Sequence, residues 1–402
     1  MEQSKHIVII AGEASGDLHA SRLVDSLKKI SPKITFSGLG GPLMKERGVL
    51  LYEDLTNFAV VGFWEVIKHL QSFHKIFKMI LEKIKDIQPD CVVLVDYPGF
   101  NLRLARAIKK ANVKTKIIYY ISPQVWAWKE SRVKLIKRVI DEMLVILPFE
   151  KEFYARFGMD VKFVGHPLLD SIKLSSQSPE NFLMSVGLSP HHYTIGLLPG
   201  SREKEIERIL PIMLKTAQLL HEENEKIQFV VIQAPTISLN LIEQYVNEFE
   251  LPLKIIEHSY DAVNATQICM VASGTATLET AILLKPMVVV YKTSFLTWAL
   301  AKLLVKIPYI GLVNVVAGKK IVAECVQFGA IPKKIAEEIK SIYTNELKIA
   351  AIKIELKKIK ALLGEPGASL QAARVILNTL CHEKSSSERP NSDFKSSAEH
   401  PV

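Results

Sequence analysis

Short apolar runs, each closed by a turn rich in Gly or Pro and followed by a stretch of helical spacing, recur along most of the chain. Runs of this kind read as strands buried on both faces of a parallel sheet, and the helical stretches as their crossovers. Residues 6–11 open the series, passing through Gly12-Glu13-Ala14-Ser15-Gly16-Asp17 into a helix expected over about 18–30. A strand over 33–37 meets Gly38-Leu39-Gly40-Gly41-Pro42, which suits a tight strand-to-helix turn better than a phosphate loop. Across 57–87, Val66, Leu70, Phe73, Phe77, Ile80, Leu81 and Ile84 recur at helical spacing as one broad apolar stripe. At about 100° per residue, Trp64 falls on the opposite face with Lys68, Gln71 and Lys75. Two readings fit: Trp64 precedes the helix and packs inward, or it stands exposed among lysines at a lipid headgroup boundary.

Further strands are expected at 91–95, 116–121, 142–147 and 161–164, with helices over 102–111, 130–140 and 150–157. Residues 171–190, mixed in Ser, Pro and Asn, read as a connection. A second series begins at 194–198 and runs through strands at 229–233, 254–256, 267–271 and 287–291, with helices near 203–222 and 238–249. Beyond 333 the pattern is almost all helical, broken at Gly364-Glu365-Pro366-Gly367, and 383–402 is Ser-rich and polar, as disordered tails are. The expected fold is therefore α/β: two facing, doubly wound domains with a ligand in the cleft between them, and a C-terminal helical segment. The expected divisions are 1–170, a linker over 171–190, 191–345, helices over 346–382 and the tail over 383–402. The last helices can cross back onto the first domain or onto a second chain, which would make a homodimer.

Composition narrows the functions open to such a chain. In 402 residues Lys and Arg outnumber Asp and Glu 51 to 42, for a net charge of +9. The excess is mostly Lys on helical segments, without a basic cluster interleaved by aromatics. That bias favours anionic ligands or an anionic membrane surface over nucleic acid. Cys91, Cys269, Cys325 and Cys381 form no CxxC or Cys/His pattern, so a reduced, cytoplasmic protein without a structural metal is expected. The apolar run 7–11 is too short for a signal peptide, and no stretch of about 18 apolar residues occurs.

Candidate chemistry gathers at the carboxyl ends of strands, where open α/β sheets bind ligands. Asp96 follows the run 91–95 and either faces a cleft or caps the next helix. His166 ends the run 161–164, in a turn where a lone His is at least as often structural as catalytic. Trp126 and Trp128, beside Pro123, either line a sugar pocket or plug the core. In the second series, 194–198 ends in Pro199-Gly200-Ser201-Arg202, placing a guanidinium fork where it can grip a diphosphate. The run 267–271 ends in Ala272-Ser273-Gly274-Thr275-Ala276-Thr277-Leu278-Glu279, again strand, Gly turn and helix start. Ser273, Gly274, Thr275, Ala276 and Thr277 offer backbone N–H and hydroxyl donors to a phosphate, and Glu279 suits a ribose diol. An ordinary helix cap with a first-turn Glu fits these residues as well, and Arg202 tips the balance toward a nucleotide diphosphate. No DxD pattern accompanies the site to hold a divalent metal.

The ordered set AGEASGD (11–17), GLGGPLM (38–44), VVGFWEV (60–66), DYPGFNLRLAR (96–106), SPQVWAWK (122–129), LPFEKEFY (147–154), FVGHPLLD (163–170), LLPGSR (197–202), ASGTATLE (272–279) and LVNVVAGKKIVAE (312–324) resembles the lipid-A-disaccharide synthase family. These are inverting, metal-independent glycosyltransferases of the GT-B type. The resemblance implies transfer from a UDP-2,3-diacylglucosamine donor to 2,3-diacylglucosamine 1-phosphate, giving a β-1,6-linked disaccharide phosphate and UDP, with no cofactor. It supports Asp96 as the base, with Glu13 and His166 as second-rank candidates for acceptor contacts or polar support. It puts Asn314 on the donor and Ser15 near the acceptor phosphate. Acylated substrates imply peripheral docking on the inner-leaflet membrane surface, for which Trp64, Lys68 and Lys75 are the candidates, each nearby Lys contributing about 1 kcal/mol. Two rivals remain: another GT-B enzyme such as a UDP-N-acetylglucosamine 2-epimerase, and a non-catalytic lipid-binding protein. The latter leaves Arg202 and Glu279 without a purpose.

Overall fold

The structure is a computed structural model that describes residues 5–55, 63–305 and 307–381, with side chains omitted for 63–71, 303 and 304. The first sheet holds β1 (His6–Ala11), β2 (Thr35–Gly40), β3 (Leu50–Asp54), β4 (Cys91–Val95), β5 (Lys116–Tyr120), β6 (Glu142–Val145) and β7 (Lys162–Phe163), in the order β3-β2-β1-β4-β5-β6-β7. The second holds β8 (Tyr193–Leu198), β9 (Ile227–Gln233), β10 (Leu253–Glu257), β11 (Ile268–Ala272), β12 (Met287–Tyr291) and β13 (Ala323–Val326), in the order β10-β9-β8-β11-β12-β13. Central pairs run parallel, β1 with β4 (Ala11 opposite Val95) and β8 with β11 (Leu198 opposite Val271). Their apolar runs are buried throughout, Cys91–Val95 and Ile268–Ala272 without an exposed position, as helices on both faces require.

Each sheet reverses its strand order once, between β1 and β4 in the first and between β8 and β11 in the second. Such a reversal opens a crevice at the carboxyl ends of the two strands that flank it. Both crevices hold residues singled out by the sequence.

By packing, the chain divides into one unit of Met1–Pro123, Lys134–Leu144 and Ser369–Val402, and another of Gln124–Val133 and Val145–Ala368. The sequence reading ended the first domain at 170 and kept 346–382 apart; by packing, 145–170 falls with the second unit although its strand β7 belongs to the first sheet, and 369–381 falls with the first unit. The presumed linker contains a helix, Pro179–Ser185, whose Ser178 side chain accepts the Asn181 N–H at 3.2 Å. Two helices begin earlier than their spacing suggests. Ala14–Ile30 starts inside the AGEASGD turn, and Pro98–Lys110 starts at a proline, which the first helical turn tolerates because it needs no N–H there. Asp17 thereby becomes a buried helical residue. Its carboxylate accepts the N–H groups of Gly41, Leu43 and Met44 at 2.9, 3.0 and 3.1 Å, tying the start of the helix Pro42–Glu46 to the first crossover. Among the described residues no helix is long and apolar enough to cross a membrane.

Candidate active site

In the first unit, Glu13 follows the end of β1 and Asp96 the end of β4, on either side of the order reversal. Asp96 and Tyr97 both have φ of +45°, a left-handed conformation costly for residues with a Cβ. The surroundings hold it. The Asp96 carbonyl accepts from Asn101 Nδ2 at 2.8 Å and from the Tyr119 hydroxyl, and its N–H donates to Tyr120 O at 3.1 Å. Tyr97 lies so close over Gly12 that a Cβ there would stand 2.1 Å from the ring, which explains the glycine. Burial, then the charge of Glu13, push the Asp96 carboxyl up to about 6. Glu13 and Ser15 are exposed at the start of the helix Ala14–Ile30. Asp96 and Glu13 are thus brought together. His166 belongs to the second unit, buried in the turn after β7, where its Nδ1 accepts the Leu168 N–H at 3.2 Å and its own N–H donates to Leu363 O at 2.9 Å.

The crevice of the second unit opens into a cavity of about 590 Å³. Arg202, Ser273, Gly274, Thr275, Ala276 and Glu279 all line it, together with Gln124, Glu205, His258 and Ile310. Gly274 has φ of +141°, a backbone state open to glycine, and the space a side chain would fill there is empty. Arg202 reaches out, 78% exposed, held by Glu205 at 2.9 Å, while the other Glu205 oxygen accepts the Ser201 N–H at 3.0 Å. Glu279 receives the Tyr260 hydroxyl at 3.4 Å and lies 3.8 Å from His258 Nε2. That carboxylate raises the His258 pKa.

Thr277 and Asn314 stand behind this wall and do not line the cavity. Thr277 is fully buried and donates to Gly274 O at 2.8 Å, fixing the glycine turn. Asn314 is also fully buried. Its amide donates to Val322 O and Glu324 and accepts from the N–H groups of Ile321 and Val322, between 2.8 and 3.1 Å. Glu324 in turn accepts the N–H groups of Ile310 and Gly311 at 3.0 Å, and Ser273 Oγ donates to Ile310 O at 2.9 Å. Asn314 therefore sets the position of the Ile310 strip from behind, rather than meeting a ligand itself. His258, Tyr260 and Glu205 were not singled out by sequence reasoning. Glu205 could have been found by its spacing of three from Arg202 on a helix, whereas His258, in the turn after β10, and Tyr260, opening the helix Tyr260–Asn264, reach Glu279 from about twenty residues away and carry no local signal.

The membrane-side candidates divide. The side chains of Trp64 and Lys68 lie outside the described residues, and Lys75 is exposed on the helix Phe63–Ile87. Trp126 is buried, donating to Glu150 at 3.2 Å, while Trp128 is 44% exposed beneath Lys129 at 3.9 Å.

Two doubly wound units, one with a polar cavity at its order reversal and the other with an enclosed carboxylate at the same place, define a GT-B protein. The neighbours among solved structures agree on the fold. A UDP-N-acetylglucosamine 2-epimerase from Neisseria meningitidis superposes with a TM-score of 0.61 at 14% identity, covering 94% of this chain and 100% of that one. A calicheamicin glycosyltransferase superposes with a TM-score of 0.58 at 14% identity, with the same coverage. The family model described as lipid-A-disaccharide synthetase matches residues 7–376. A lipid-A-disaccharide synthase of Syntrophus aciditrophicus is 42% identical over 379 residues, 94% of this chain and 98% of its own length. Lipid-A-disaccharide synthase 1 of Legionella pneumophila is 42% identical over 369 residues, 92% and 96% of the two chains. The chain belongs to the lipid-A-disaccharide synthase family, and is a glycosyltransferase that forms the lipid A disaccharide.

Proposed function

We propose that the donor is UDP-2,3-diacylglucosamine and the acceptor 2,3-diacylglucosamine 1-phosphate, joined in one inverting displacement with Asp96 as base. The acceptor's 6-hydroxyl gives its proton to the Asp96 carboxylate as its oxygen bonds to the anomeric carbon. The bond from that carbon to the diphosphate oxygen breaks, and its electron pair leaves with UDP. Arg202, with the N–H groups around Gly274, meets the charge that develops, and Glu279 receives the ribose. The observation that carries the reading is Asp96: a carboxyl raised toward 6, held in a strained turn at an order reversal, is poised to accept a proton near neutrality. Burial, and after it the charge of Glu13, keeps that pKa up, and exposed Ser15 is the acceptor-phosphate candidate on the same helix start.

Acylated substrates call for a membrane surface, and the described residues offer one. On the helix Phe295–Leu304, Phe295, Leu296 and Leu300 are 66%, 80% and 56% exposed, and Phe328 beside them is 66% exposed. Trp298 packs edge-on to Phe328 at 5.2 Å, with Lys302 5.3 Å over its ring, an aromatic–lysine arrangement suited to a headgroup boundary. The test mixes the protein with both diacylated substrates and follows products. UDP together with a β-1,6 disaccharide phosphate is expected. Disaccharide formed from another acceptor or donor but not from this pair would overturn the substrate assignment, and a disaccharide of the opposite anomeric configuration would overturn the inverting displacement.

A further inference from the structure

A second cavity of the same unit, about 400 Å³, is walled mainly by Trp126, Phe149, Phe153, Ile307, Tyr309 and Val315, with the charged Glu152 and Arg156 among them. Nucleotide sites need polar walls, and this one is chiefly aromatic and aliphatic, in the size range of about 300–1,000 Å³ typical of small-ligand pockets. Its position is the telling feature. Two stretches of chain line both cavities: Gln124 faces the polar one and Trp126 the apolar one, and Ile307, Pro308 and Tyr309 line the apolar one while Ile310 and Leu312 line the polar one.

The partition between them is firmly built. Trp126 donates to Glu150 and packs edge-on against Phe149 at 4.9 Å. On the other side, Ile310 is gripped by Glu324 and Ser273. An apolar cavity built from the same two stretches of chain as the proposed nucleotide-diphosphate site is placed for an apolar substituent on the group the diphosphate carries. The strip that forms its wall follows the exposed apolar helix Phe295–Leu304 closely in sequence, so the cavity and the exposed face of Phe295, Leu296 and Leu300 belong to one stretch of chain.

We propose that this second cavity is an acyl-chain subsite, and that it holds one chain of the sugar nucleotide donor. The inference rests on the function proposed above. It assigns Val315 and Tyr309, which the reaction itself does not use, to the selection of donors by their chains.

The test uses the full-length protein and UDP-glucosamine donors carrying acyl chains of graded length. For the wild type, KM for the donor falls as the chains lengthen. Val315→Trp fills the cavity, and should raise KM for the long-chain donor about tenfold or more, the loss expected when roughly two methylenes leave an apolar site. It should also flatten the dependence on chain length, with kcat and the affinity for UDP unchanged. Tyr309→Ala, which opens the wall, carries the same test should Val315→Trp lower the melting temperature, and it too should weaken the long-chain preference. A chain-length dependence that survives both substitutions, with UDP affinity intact, overturns the assignment. No disaccharide from the wild type with any acylated donor overturns the proposed function, and the subsite with it.

Discussion

Asp96 and Asp17 show how differently two carboxylates of one unit are used. Asp17 is satisfied by three backbone N–H groups, whereas Asp96 has its carboxyl pushed up to about 6 by burial and by Glu13. Asp17→Ala should therefore destabilise the fold by about 2 kcal/mol or more, read as a lower melting temperature. An unchanged melting temperature would remove its capping role. Asp96 follows the opposite sign. Its folded pKa of about 6 stands above the ordinary aspartate value of 3.8, so between those pH values the folded state keeps a proton that the unfolded chain has lost. That contribution is fully present below about 4 and is lost as pH rises through 6. Asp96→Asn should then be more stable than the wild type at pH 8, with the advantage fading toward pH 4. Equal melting temperatures across that range would mean that the carboxyl is not held in a costly place. At the cavity of the second unit, proposed for the donor, Arg202→Ala should weaken UDP by about tenfold to a hundredfold, from loss of a charge-assisted contact worth roughly 1.5–3 kcal/mol. Calorimetry showing undiminished UDP affinity would move the diphosphate elsewhere.

Among elements, the helix Phe295–Leu304 carries the clearest expectation. Replacing both Phe295 and Leu296 by Ser removes two exposed apolar side chains, each worth roughly 1.5–3 kcal/mol when fully buried. Sedimentation with anionic vesicles should fall by tenfold or more while UDP affinity holds. Undiminished sedimentation would place the membrane contact on another element. The elements most legible in the sequence were the buried strands, because five or six apolar residues between Gly or Pro turns leave few alternatives: β1 and β12 were bounded to the residue. β3 and β13 were not anticipated. β3 is an edge strand mixing Glu53 and Asp54 with its apolar residues, and β13 is four residues long, so neither has the run that marks a central strand. The glycine turn after β11 was legible because Gly274 needs its positive φ, and Arg202 because it ends a strand. Asn314 was legible as a polar residue in a resembling segment, but not as one whose amide is consumed behind the wall. That distinction depends on Val322 and Glu324, which the chain brings back only after a helix.

For the whole molecule, the two order reversals divide the work: the residues suited to a diphosphate line the second, and the carboxylate suited to a proton stands at the first. A change at one should then leave the other's equilibrium property alone. The most direct test of this account measures disaccharide formation against pH for the wild type and Asp96→Asn, with UDP affinity taken on the same samples. The wild-type rate should climb as pH rises through about 6, where the Asp96 carboxyl loses its proton and can act as a base. Asp96→Asn should lose at least about a hundredfold in turnover, within the range of about 10²–10⁴ typical of a general base, and should lose that step in pH while binding UDP normally. A variant that keeps more than about a tenth of the wild-type rate, or that shows the same step near 6, would contradict the account and pass the base role to another group.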